Sequence, residues 1–68
     1  MEIGQVWYGK DETAYKGVAA TIQAITARNV QLHFDQVINV DGVKLRGEVM
    51  SKRKFERMFE QFEQGGLF

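Results

Sequence analysis

Cysteine is absent from the 68 residues of this chain, and so is proline. Without thiols, neither a disulfide nor a thiolate metal site can supplement the core, and cysteine usage says nothing about redox compartment. Without proline, the turn signals fall to glycine, asparagine and aspartate. Histidine occurs once, at His33, with no cysteine nucleophile and no second ligand at helical or hairpin spacing. A hydrolytic dyad or a metal site therefore has no constellation to rest on, and the expectation is a chain without catalytic residues or bound metal. The glycines form neither a G-x-G-x-x-G nor a P-loop pattern, so no nucleotide cofactor is expected. Net charge is absent too: nine basic and nine acidic residues cancel. That balance disfavours nonspecific coating of nucleic acid, which is held mainly through phosphates. No stretch approaches the roughly 20 apolar residues needed to span a bilayer, and Met1-Glu2-Ile3-Gly4 lacks a basic start followed by an apolar run. The expectation is a cytosolic protein with no membrane partner.

A chain of 68 residues allows one domain with a core near the lower limit for independent folding. It must pack well or oligomerise, and a homodimer through a helix or an edge strand stays open.

Ile3 to Tyr8 carries strand formers and is closed by Gly9. Lys10-Asp11-Glu12-Thr13, between Gly9 and Gly17, reads as a solvated loop. Val18, Ala20, Ile22 and Ala24 then alternate with Ala19, Thr21 and Gln23, the two-residue period of a half-buried strand. After a turn at Ala27-Arg28-Asn29, Val30, Leu32 and Phe34 alternate with Gln31, His33 and Asp35, which puts His33 on the outward face as a solvated polar residue. Asp41-Gly42 predicts a two-residue type I′ hairpin turn. In that register Val40 faces Val43, Ile38 faces Leu45 and Phe34 faces Val49. Asp35 would then oppose Glu48, so a bulge or break is expected near Asp35-Gln36.

From Ser51 the period becomes helical, with Phe55, Met58, Phe59 and Phe62 on one stripe. Ser51 is an N-cap, Met50 a hydrophobic staple, and Gly65 a candidate C-terminal cap. The expected fold class is mainly β (α+β): a curled antiparallel sheet of four to five strands over residues 2–50, a C-terminal amphipathic helix over 51–63, and a tail over 64–68. In strand lengths and turn spacing, residues 2–50 resemble an SH3-like small barrel, with the segment between Gly9 and Gly17 in the place of its long first loop. That resemblance implies a fold and no particular function.

Three features could bind a partner. Lys52-Arg53-Lys54 opens the helix with Arg57 a turn later, against the helix dipole, and Lys44 and Arg46 precede them on the outward face of a strand. Together they predict an anion-binding patch for nucleic acid or an acidic protein; the alternative is a solubilising face stabilised by Arg53-Glu56 and Arg57-Glu60 spacing. Trp7 and Tyr8 must point to opposite faces, which predicts a buried Trp7 and an exposed Tyr8 available to a partner.

The third feature is the sequence Gln64-Gly65-Gly66-Leu67-Phe68. Its Gln64, Leu67 and Phe68 resemble the peptide by which bacterial proteins bind the DNA polymerase sliding clamp. The resemblance implies that Gln64 hydrogen-bonds at the pocket rim while Leu67 and Phe68 fill its apolar part. Gly65-Gly66 departs from the usual pattern, and lost contacts with added backbone entropy predict weaker binding. The competing structural role is that Gly65 caps the helix and Leu67 folds back onto Phe62 or Met58. The functional expectation is a non-catalytic interaction module, of phage or other mobile-element origin, that docks on a larger host protein; the alternative is an SH3-like nucleic-acid-binding protein.

Overall fold

The computed structural model describes residues 1–61. Strands β1 (Val6–Gly9), β2 (Ala19–Ile25), β3 (Asn29–Val40) and β4 (Val43–Ser51) are followed by helix α1 (Lys52–Met58) and strand β5 (Phe59–Gln61). The strands form one antiparallel sheet in the order β4-β3-β2-β1-β5. The fold is mainly β with one short helix.

The Asp41-Gly42 turn sets the β3–β4 hairpin. Both residues take positive φ, 53° and 81°, as a type I′ turn requires, and the Asn39 side chain accepts the Gly42 N–H at 2.9 Å. Val40 faces Val43 and Ile38 faces Leu45, as the turn dictates. The register then shifts, and pairing resumes at His33 with Gly47. Phe34 to Val37 stand where β4 supplies only Arg46, so the ladder breaks around Asp35-Gln36. The break avoids the Asp35–Glu48 opposition: the Asp35 carboxylate instead takes the Ala19 N–H at 3.1 Å, and Glu48 faces Leu32. It also corrects one expected pair. Phe34 faces Ala20 on β2, while Val49 faces Gln31 and is exposed.

Along β3 the alternation is as read: Val30, Leu32 and Phe34 are buried, while Gln31, His33 and Asp35 are exposed. Val18, just before β2, and Ala20 and Ile22 on it face the core, but a bulge at Gln23 reverses parity beyond it. Ala24 therefore faces Gln31 on the outer side, and Ile25, opposite Val30, takes the inner position expected of Ala24.

The helix is shorter than its apolar spacing predicts. Ser51 caps it, its side chain accepting the Lys54 N–H at 3.0 Å, but Phe59 is already extended, with φ −126° and ψ 157°. Phe59 pairs with Gly9, and the Lys10 N–H bonds the Met58 carbonyl at 2.9 Å, so the edge of β1 ends the helix by recruiting its next residue into the sheet. The stripe survives as buried area: Phe55 and Phe59 are 0% and 1% exposed with ring centroids 5.2 Å apart. Each such side chain is worth about 1.5–3 kcal/mol of burial. Trp7 packs on Phe55 at 4.6 Å, and Tyr15 on Phe59 at 4.9 Å.

Tyr15 corrects the reading of its loop as simply solvated. It is 2% exposed and anchors the segment between β1 and β2 in the core. Its backbone passes so close to Gly9 that a Cβ there would lie 1.7 Å from the Tyr15 carbonyl oxygen. Only glycine fits at that crossing.

Candidate functional site

A half-buried chain of polar contacts starts at Tyr15. Its hydroxyl donates to Glu48 Oε1 at 2.8 Å, and Lys54 Nζ lies 3.4 Å from Glu48 Oε2. The first β1–β2 connection, strand β4 and helix α1 are tied together through one carboxylate. Burial, then the hydrogen bond to Glu48 and its negative charge, hold the Tyr15 phenol well above its ordinary range. A phenol held protonated, with its oxygen committed to a carboxylate, is a structural donor. The one signal for it in the sequence is an aromatic residue inside an otherwise polar loop.

The basic residues do not gather into one patch. Lys54 is the Glu48 partner, and Arg57 lies in the last helical turn. Lys44 sits opposite Asn39 near the hairpin tip. Seven strand steps at about 3.3 Å put Lys44 about 23 Å from the Ser51 end of β4. Lys52 and Arg53 line an open cleft there with Ala27, Arg28 and Ser51. Arg28 is a cation that sequence reasoning missed. Its turn meets the helix start because Asn29 faces Ser51, and the Lys52 N–H bonds the Arg28 carbonyl at 2.8 Å. The Arg57-Glu60 helical spacing is not realised, since Glu60 lies in β5.

On the outer face of the sheet, His33 faces Gly47, whose missing side chain leaves a shallow depression. Gln23, Gln31, Arg46 and Val49 stand around it, and the Gln31 amide donates to the Gln23 side chain at 3.4 Å. Gly47 is required by packing: a Cβ there would lie 2.5 Å from the Leu32 carbonyl oxygen. No group of three or more histidine, cysteine, aspartate or glutamate residues that could hold a metal occurs among the described residues.

Trp7 and Tyr8 divide as the strand geometry predicts. Trp7 turns inward, opposite the buried Ala20, and Tyr8 is 42% exposed opposite Ala19. Val6, two residues before Tyr8, is 39% exposed on the same outer side. No helix among the described residues is long and apolar enough to cross a membrane. Gln64, Leu67 and Phe68, with the expected Gly65 cap and the Phe62 end of the stripe, lie outside the described residues. No protein family, curated protein or solved structure matches this chain.

Proposed function

We propose that this protein is a non-catalytic interaction module that docks on a larger protein through Gln64, Leu67 and Phe68, a partner of the replication sliding clamp kind. The observation that carries the reading is where helix α1 ends. Phe59 is extended and paired with Gly9, whereas a cap at Gly65 presumes a helix that runs on to residue 63. The competing role, a Gly65 cap with Leu67 folded back onto Phe62 or Met58, rests on a helix over 51–63, and α1 is shorter than that. Two apolar anchors and one orienting amide suit a short linear motif, and Tyr8 on the adjoining strand β1 offers a secondary contact.

The strand order, with a helical turn before the last strand, supports the SH3-like reading of the scaffold. The alternative of nucleic-acid binding through Lys44, Arg46, Lys52, Arg53, Lys54 and Arg57 has less support, because two of those cations lie along β4, the other four on α1, and Lys54 is engaged by Glu48. Calorimetric titration of the intact chain into purified clamp tests the proposal. Heat is expected from the intact chain and none from a chain lacking residues 64–68, with the two circular dichroism spectra superimposable. An intact chain that gives no heat ends the proposal.

A further inference from the structure

Strand β4 stands at one end of the sheet, and its long outer edge has an unusual balance of charge. Among the described residues it pairs with β3 alone, and no backbone hydrogen bond from another element reaches its outer side between Val43 and Met50. In a two-residue hairpin the pair flanking the turn is the hydrogen-bonded one. Val43 and Leu45 therefore bond to β3, while the main-chain groups of Lys44 and Arg46 point outward. Both side chains are exposed cations. The one acid on the strand, Glu48, is drawn away from the edge by the Tyr15 hydroxyl and Lys54. Val43 and Val49 are 56% and 62% exposed along the same stretch.

We infer that the β4 edge is a second docking surface, and that it takes an acidic peptide in extended conformation as a sixth strand. This inference does not rest on the tail. A row of alternating N–H and C=O groups is matched by another peptide backbone, whereas a phosphodiester chain offers acceptors and no N–H donors. Lys44 and Arg46 select against cationic strands and favour acidic ones. A second copy of this chain paired symmetrically about Leu45 would bring the same cations opposite themselves, which disfavours that register. Val43 and Val49 supply apolar contact for the residues that alternate with the acidic ones.

The test is an NMR titration of the full-length labelled chain with a synthetic heptapeptide alternating glutamate and valine. The amides of Lys44 and Arg46 are expected to shift and to exchange more slowly with solvent. A K44E/R46E variant with unchanged circular dichroism is expected to lose about tenfold in affinity. A peptide N-methylated at its glutamates, which in antiparallel pairing face Lys44 and Arg46 and donate to the edge, is expected not to bind to the unmodified chain. That arm carries the test if the double variant fails to fold. Shifts that map elsewhere, equal binding of a lysine-valine peptide, full affinity of the folded double variant, or tighter binding of a single-stranded oligonucleotide at these residues would each overturn the inference.

Discussion

Replacing Gly9 by alanine puts the tightest crossing in the fold to a direct test. The added methyl carbon would stand 1.7 Å from the Tyr15 carbonyl oxygen, where ordinary contact begins at 3.4 Å. Neither neighbour is a flexible side-chain end. Tyr15 is fixed by its ring against Phe59 and its hydroxyl on Glu48, and Gly9 is paired with Phe59 while donating to the Val18 carbonyl at 2.9 Å. The two backbones must part by about the missing distance, which disrupts two or three hydrogen bonds at about 1 kcal/mol each. Overpacking adds about 1–3 kcal/mol. The sum, about 3–6 kcal/mol, compares with a total stability of about 3–10 kcal/mol for a chain of this size. Urea unfolding followed by Trp7 fluorescence reads the result, since Trp7 is the single tryptophan and lies 4.6 Å from Phe55. The control is Gly17→Ala, at φ 77° with open space around it, which should cost only about 1–2 kcal/mol. A Gly9→Ala protein within about 1 kcal/mol of the unmodified chain would refute the steric reasoning.

Two further substitutions report on the polar contacts. Tyr15→Phe leaves Glu48 with Lys54 alone and should cost about 1.5 kcal/mol at neutral pH in the same urea assay. It should also remove a pH dependence. Because the folded-state phenol is held above its ordinary value near 10, the unfolded chain releases its proton first as pH rises. Stability from this group is thus complete below about pH 10 and falls by about 1.4 kcal/mol per pH unit above it. The phenylalanine variant should lack that slope, and an unchanged alkaline slope would contradict the assignment. Ser51→Ala deletes the acceptor of the Lys54 N–H and should lower stability by about 1 kcal/mol, read as a lower thermal midpoint by circular dichroism.

What could be read from the sequence was whatever local chemistry decides. Asp41-Gly42 fixed the hairpin register as far as Ile38 and Leu45, and the conflict between Asp35 and Glu48 located the break. What the sequence left hidden was set by partners distant along the chain. Phe59 fits the helical stripe as well as it fits a strand, and the open edge of β1 decides between them. One extra residue at Gln23 exchanged the faces of Ala24 and Ile25, which alternation alone cannot foresee. Tyr15 is invisible as a core residue until Phe34 and Phe59 are placed around it. Of the candidate site, the outward Tyr8 and the division of labour with Trp7 were legible from strand parity. The separation of Lys44 from Lys52 was not, because the expected patch rested on facing directions and took no account of the length of β4 between them.

Pairing of Gly9 with Phe59 makes the sheet close late. Fifty positions separate the two partners, so β1 is expected to gain its second neighbour after the intervening hairpins have shortened the loop. Bringing such distant segments together costs about 3–4 kcal/mol of chain entropy, regained only when the Phe59 ring and the Lys10–Met58 bond are both formed. The hairpin built on Asp41-Gly42 can assemble on its own, within microseconds; the three-residue strand that seals the core cannot. Folding should therefore be slow for so short a chain, and changes confined to β5 should speed unfolding while leaving the folding rate nearly untouched.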